Sequence, residues 1–586
     1  MRYLVTTHEK STWPVSSPIT FLYKGCLEQP LHESEQTHSY RVLAPEVDDV
    51  ATRIEKHDFV SELYVSLLAD LSNYLNSIHG TSHNKKYWEI GLGLWLSSFL
   101  DATFERWNAI TNADFGAEEY VTRQFLVNAA EICPPVSTQF VSYSQNSAWN
   151  HFVFSNICDH HSRIRTEIDP GTANWSYPNL VKPSGQTKSA ALRKFVLQFS
   201  QIVGRMNRYV IASTYLPRKS EFRLAASLFS MPLFWQETKV TDELFNFDLR
   251  NSVTFPGIPG SQFEEVVRKI IRQQIPKSFV ENYRATVLAL NKSNLPRSPR
   301  TIFTSNLHAS SDSFTIWAAE KHNNGTAFVI GQHGGLYGQG NPPTRIELHE
   351  IGVADKYLTW GWTNGNGHVV AGPALINVGK QSNLTLKNRD RILLVTDCTF
   401  RYSRRPWSTG ALYSQYLNNL FSFVDLLSES QRDALIVRLH HDHDKDDKSH
   451  LDQWRDKFPN VEIDSGKRHL DLVREKVRID ICTTIGTSEI ESISNNRPTL
   501  IYLDPTTHPF RQSVQHVFTI CAEVGILHSS PESLARHIGE VWEDIDSWWN
   551  QKDVKFARDL YCSNFAQELP SPTQFLRNEI KTATCR

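Results

Sequence analysis

Between residues 58 and 79, apolar side chains (Leu63, Val65, Leu67, Leu68, Leu71 and Leu75) return at helical spacing. The same spacing governs 87–110, through Trp88, Leu92, Trp95, Leu96 and Phe99. Such a period belongs to helices with a buried face. Residues 1 to 165 are therefore expected to be a helix-rich region, although Met-Arg-Tyr-Leu-Val-Thr-Thr at its start reads as a strand. The segment 169–185 carries Pro170, Gly171, Pro178, Pro183 and Gly185 and has the composition of a loop or linker.

Beyond it the pattern alternates. A helix is expected over 190–206, a β-branched run over 208–213 and a helix over 221–229, with 230–235 leading out of it. A second round has a strand at 301–305, a helix at 313–322, strands at 327–331 and 356–360, and a closing stretch at 369–373. After Lys387-Asn388-Arg389-Asp390 the apolar run 392–396 opens a new unit. Helices at 412–428, 449–458, 469–475 and 488–495 then alternate with strands at 434–439, 461–463, 478–482 and 499–503, and a helical tail starts near Pro531. Strands alternating with helices build parallel sheets. The fold expected is α/β: a first Rossmann-like lobe over 166–380, a second over 381–586 with C-terminal helices, and a cleft between them outside the strand ends. No internal repeat or low-complexity segment interrupts this plan.

A chain of 586 residues agrees with about three to four domains. With 61 Lys+Arg against 63 Asp+Glu, no polyanion-binding surface is implied, so nucleic acid is not an expected partner. The 15 Trp, 19 Tyr and 31 Phe suit either large cores or flat sugar-binding faces. The N-terminus lacks signal-peptide features, so cytoplasmic residence is expected. The apolar run 90–100 is about half of the ~18–20 residues a membrane span needs. The eight cysteines show neither CxxC pairs nor nearby histidines at ligand spacing, which argues against disulfides and structural zinc.

Three stretches can carry chemistry. At Gly486-Thr487-Ser488 a strand turns into a helix, so free amides, two hydroxyls and the positive helix end can cradle a phosphate, with Glu491 placed for ribose hydroxyls. Equally, Ser488 can simply cap the helix and Glu491 favour its first turn. In Gln332-His333-Gly334-Gly335-Leu336-Tyr337-Gly338, after a strand, glycines allow close backbone approach and His333 can serve as acid, base or phosphate partner. A glycine turn with a hydrogen-bonded histidine is the plainer alternative. Glu347 and Glu350 downstream, and Glu221 at a helix start, are further catalytic candidates, as bases or as a nucleophile in a retaining mechanism. Solvated charges and helix-dipole partners explain them as well. Arg438 and His440 leave a strand of the second lobe, where a guanidinium can grip a phosphate or carboxylate. The run from Asp442 to Lys448 reads as an exposed loop rather than a metal site. Arg401, in the loop after the first strand of the second lobe, suits substrate contact, as do Arg404 and Arg405. Asp312 reads as the cap of the helix at 313–322.

Gly486-Thr487-Ser488-x-x-Glu491-Ser492-Ile493 followed by Arg497-Pro498-Thr499 resembles the donor-nucleotide loop of two-lobed GT-B glycosyltransferases. Tyr87-Trp88-x-Ile90-x-Leu92-Gly93-x-Trp95-Leu96, Trp149-Asn150-His151, the Gln332 to Gly338 segment, Ala354 to Trp362 and Val437-Arg438-Leu439-His440 extend the likeness across most of the chain. Together they look like a bacterial family of transferases related to capsule and surface-polysaccharide enzymes that move 3-deoxy-ulosonic acids from CMP-sugars. Where that family shows His-Pro, this chain has His440-His441. The resemblance implies a GT-B fold and a nucleotide-sugar donor, CMP-linked, held by Arg438, His440, Gly486, Thr487, Ser488 and Glu491. It implies a glycan or lipid-linked glycan acceptor near Gln332, Gly334, Gly335, Tyr337 and Arg401, with catalysis by His333, Glu350, Glu347 or Glu221. No metal and no cofactor beyond the donor are expected. Peripheral contact with the inner membrane face or with other polysaccharide-assembly enzymes fits the same picture. The alternatives are a nucleotide-sugar epimerase, a polyol-phosphate transferase or a non-catalytic sugar-binding protein of the same plan.

Overall fold

Buried parallel strands must be apolar on both faces, and this chain distributes its apolar runs over three parallel sheets. The computed structural model describes residues 2–586 except 15–16, 28–39, 44–45, 47, 172, 176, 178–204, 239, 241–242, 253–254, 380–388, 398–399, 404–409 and 442–449. The expected helix over 190–206, the linker 169–185, the pair Arg404-Arg405 and the charged loop after Asp442 lie mostly or wholly outside the described residues.

The first sheet holds β1 (Arg2–Val5), β2 (Ile19–Phe21), β3 (Tyr40–Val42), β4 (Tyr120–Phe125) and β5 (Ile164–Asp169) in the order β3-β2-β1-β4-β5. The N-terminal region is thus more than the helices expected there, because only β1 was signalled by sequence. Its helices Val50–His79 and Lys85–Thr111 form a hairpin. Gly80, in the left-handed region at φ 64°, ends the first, and the Asn84 side chain caps the second by accepting from the Tyr87 amide at 2.8 Å. The second of these helices is apolar nearly all round, as befits a helix buried on all sides. It packs on the first lobe, where Thr315 Oγ1 donates to the Gly91 carbonyl at 3.1 Å and Arg345 pairs with Asp101.

The second sheet runs β10-β9-β8-β7-β6, from β6 (Tyr209–Ile211), β7 (Thr301–Thr304), β8 (Ala327–Gly331), β9 (Lys356–Thr359) and β10 (Val369–Ala371). The third is built from β11 (Arg391–Val395), β12 (Leu435–Arg438), β13 (Glu462–Asp464), β14 (Val477–Cys482), β15 (Thr499–Tyr502) and β16 (Leu527–His528). Its order β13-β12-β11-β14-β15-β16 reverses direction between β11 and β14. Such a reversal opens a crevice at the carboxyl ends of the strands.

The two lobes meet at those carboxyl ends. A Cβ on Gly335, which follows β8, would collide with the Gly486 carbonyl beyond β14, and the Gly335 amide donates to Thr487 Oγ1 at 3.3 Å. Asn377 Nδ2 donates to Ser494 Oγ at 2.8 Å, and Arg511 Nε to the Gly340 carbonyl at 2.9 Å. The helical tail does not stay with the second lobe. Its last helix, Pro572–Thr582, buries Leu576 and Ile580 with β6, β7, β8 and β9 residues, and Lys356 pairs with Glu579 at 2.7 Å. Among the described residues no helix is long and apolar enough to cross a membrane.

Candidate active site

The loop after β8 is held from below. Gln332 is buried; its Oε1 accepts from the Trp360 amide at 3.0 Å and Trp362 Nε1 at 2.9 Å, while Nε2 donates to the Gly334 carbonyl at 2.7 Å. Expected to touch substrate, Gln332 instead has its amide engaged in bracing the loop. Gly338, at φ 81°, lies against the Trp362 ring, where a side chain would clash. Gly334 faces open space. Between these supports His333 is partly exposed. Its Nδ1 lies 3.0 Å from the Ser305 carbonyl, which can only accept, so Nδ1 carries a proton and, in the neutral ring, Nε2 holds the lone pair. Nε2 stands 3.5 Å from the Tyr215 hydroxyl. Tyr215 follows β6 in a strained turn, with φ of 51° at Ser213 and 61° at Tyr215.

Behind His333 lies Glu350, and here an expectation is corrected. Glu350 is fully buried and accepts from Tyr337 at 3.0 Å, Tyr357 at 2.9 Å and His308 Nε2 at 3.0 Å. A carboxylate so enclosed cannot reach a substrate as base or nucleophile; it positions its neighbours. Tyr337, expected at the substrate, is spent on the same carboxylate, and burial together with Glu350 holds its hydroxyl far above the usual range. Glu347 is corrected likewise. It pairs with Arg511 of the second lobe at 2.6 Å and accepts from the Gly338 amide at 3.3 Å, while burial raises its pKa against the pull of Arg511. Glu221 stays half-buried, accepts from Thr214 Oγ1 at 3.1 Å beside the Tyr215 turn, and is raised by burial.

In the second lobe, Arg438 pairs with Asp464 and donates to the Gly466 carbonyl at 3.2 Å and the Arg468 carbonyl at 2.8 Å. Its guanidinium ties strand ends together and does not point to a free phosphate grip. His440 lies ring to ring with His441, centroids 4.2 Å apart. The expected open phosphate cradle is closed. The Gly486 amide donates to Glu489 Oε1 at 2.6 Å, Thr487 accepts from Gly335, and the Ser488 carbonyl accepts from Arg474 at 3.0 Å. Burial pushes the Glu489 carboxyl up to about 8. Glu491 lies 3.7 Å from Arg474. Arg401 is buried against the N-terminal unit, donating to the Gly25 carbonyl at 2.7 Å, which removes it from the substrate side.

Sequence reasoning missed His308, Arg511 and Glu489 and passed over Tyr215. No local spacing marks the first three, because each acts on a residue far along the chain or already assigned another role. His308, His333 and Glu350 offer ligand-type atoms within 4.8 Å of one another, a set able to hold a cation, so the absence of metal expected from sequence is not established.

Two facing parallel-sheet lobes, with a histidine and a glycine loop where their strand ends meet, define an α/β protein on the GT-B plan. The chain itself belongs to the LIC12162 family transferases, whose profile matches residues 2–580. No curated protein matches it. Among solved structures it is similar to MnaA of S. aureus in a co-structure with UDP, at 13% identity over 64% of this chain and 95% of that one, with a TM-score of 0.35. The wall teichoic acid polymerase TagF follows at 12% identity over 67% and 95%, TM-score 0.34. MurG of Acinetobacter baumannii shows 10% identity over 64% and 99%, TM-score 0.31. Likeness at these values says nothing about substrate or reaction.

Proposed function

We propose that this transferase is a glycosyltransferase that moves a sugar from a nucleotide-activated donor to a glycan acceptor, with His333 as general base. One observation carries the reading: the Ser305 carbonyl fixes the His333 tautomer, leaving an Nε2 lone pair beside the partly exposed Tyr215 at the lobe junction. Such a base takes the proton of an acceptor hydroxyl as its oxygen bonds to the anomeric carbon and the bond to the donor phosphate breaks. Glu350 and His308 set the position of the groups behind it. The donor is assigned to the second lobe, near the reversal between β11 and β14, with Gly486, Thr487, Ser488 and Glu491 nearest. Binding there requires the Gly335–Gly486 contact to open. A CMP-linked 3-deoxy-ulosonic acid as donor, a surface-polysaccharide acceptor, a cytoplasmic site of action and no cofactor beyond the donor complete the proposal; these rest on the motif resemblance.

The test incubates full-length protein with acceptor glycans and CMP-, UDP-, GDP- or CDP-sugars and measures free nucleotide. CMP-sugars are expected to be productive, and His333→Ala to lower release by about 10²–10⁴-fold. Unchanged release from a His333→Ala variant that melts with the wild type would remove His333 from the chemistry. Interconversion of sugar epimers without any acceptor would replace the reading by an epimerase, and silence with every donor would end it.

A further inference from the structure

Away from the cleft, three ligand-type side chains from distant parts of the chain converge. His322 closes the helix Asp312–Asn323, Asp355 immediately precedes β9, and Cys585 follows the last helix, which has crossed from the second lobe to the first. Nε2 of His322 lies 3.3 Å from Asp355 Oδ1 and 3.6 Å from Cys585 Sγ, and the three atoms fall within 4.8 Å of one another. The one nitrogen faces both partners with a single proton between them, and the thiol lies 3.6 Å from the His322 carbonyl as well. A cation at the centre would satisfy all three.

The distances carry the argument further. With Zn–N and Zn–O of about 2.0–2.1 Å and Zn–S of about 2.3 Å, tetrahedral ligands stand about 3.3 Å apart for nitrogen and oxygen and about 3.6 Å for nitrogen and sulfur. Those are the separations seen here. The carboxylate is oriented from behind, as metal ligands commonly are, since Oδ2 accepts from the Phe328 amide at 2.7 Å and Oδ1 from the Arg586 amide at 2.8 Å. His322 and Asp355 are buried while Cys585 is exposed, which places the remaining coordination position on the solvent side. A thiolate, an imidazole and a carboxylate together form a borderline-soft set that suits zinc.

We propose that His322, Asp355 and Cys585 form a zinc site that clasps the C-terminal segment onto the first lobe. The site lies at the amino end of β9, whereas the Gln332 loop packs at the carboxyl end of that strand. Its role is therefore structural, securing the segment that crosses between lobes beside the Lys356–Glu579 pair.

Full-length protein stripped with a chelator is titrated with Zn²⁺, and separately with Co²⁺ as a spectroscopic probe. One ion per chain, a rise in melting temperature with Zn²⁺ and a thiolate-to-cobalt charge-transfer absorption are expected. Cys585→Ser should abolish that absorption and weaken zinc binding by about tenfold or more, and His322→Gln should weaken it comparably. His333→Ala should leave binding intact, which separates this site from the His308, His333 and Glu350 group. Absorption that persists in Cys585→Ser, uptake lost only in His333→Ala, or no uptake by the wild type would overturn the assignment.

Discussion

Replacing Glu350 tests whether the carboxylate behind His333 is an anchor or a reagent. Glu350→Ala removes the acceptor of three buried donors, the Tyr337 hydroxyl at 3.0 Å, the Tyr357 hydroxyl at 2.9 Å and His308 Nε2 at 3.0 Å. A buried donor left unpaired costs about 1–3 kcal/mol, so three amount to roughly 3–9 kcal/mol before any cavity term. Domains as a whole are stable by only about 5–15 kcal/mol, so the first lobe of this variant should loosen or unfold. Glu350→Gln keeps one acceptor oxygen and turns its NH2 toward a hydroxyl that can accept, for a loss of about 1–3 kcal/mol. Because a chain of several units need not unfold in one step, the readout is amide hydrogen exchange in Arg345–Val353 and Lys356–Thr359. Exchange should quicken strongly in the Ala variant and mildly in the Gln variant. Wild-type protection in Glu350→Ala would refute the anchor, and so would a sugar trapped covalently on Glu350.

Three further substitutions probe the junction between the lobes. Burial pushes Glu489 up to about 8, above its unfolded value of about 4.3, so the native state retains a proton that the unfolded chain releases and stability falls as pH rises through that interval. Glu489→Gln keeps the acceptor for the Gly486 amide but cannot ionise; it should melt with the wild type near pH 4 and gain steadily toward pH 8, by at most about 5 kcal/mol, and a gain independent of pH would refute the burial argument. Arg511→Met strands the buried Glu347 carboxylate at a cost of about 3–5 kcal/mol, which adding Glu347→Gln should largely recover in thermal denaturation. Equal melting of all three proteins would show that this pair does not hold the lobes together.

Much of the second half of the chain was legible because fully buried strands write themselves as apolar runs. The expected strand 327–331 coincides with Ala327–Gly331, and the expected 499–503 with Thr499–Tyr502, give or take a residue. The first sheet was not legible beyond β1: β2 and β3 have three residues each, too few to display a period, and the six-residue β4 and β5 carry too many polar and charged side chains to show an apolar alternation. The helix expected over 58–79 begins earlier, at Val50, because its capped first turns are largely polar and show no apolar stripe. That the final helix joins the first lobe is a choice of packing partner, which local pattern cannot express. The zinc-type cluster was hidden for the same reason: Cys585 and His322 stand 263 positions apart, while the sequence argument considered only short spacings.

The candidate site shows where such reading fails in principle. Adjacency to strand ends drew attention to His333, and the structure shows its ring held by one local carbonyl, that of Ser305. The burial of the carboxylates was not legible because the helix Arg345–Val353 mixes its inward face: Arg345, Glu347, His349 and Glu350 are buried along with Ile351 and Val353, whereas Ile346 and Leu348 are exposed. Polar residues on an inward face need partners from elsewhere, and these arrive from every unit of the molecule. Arg345 meets Asp101 of the N-terminal helices, Glu347 meets Arg511 of the second lobe, and Glu350 meets His308 and Tyr357 of the first. A buried network of this kind is costly when half satisfied, so each pairing makes the others necessary. The helix is thus the joint that fixes three units around His333, with its charged side chains engaged by partners from each of them.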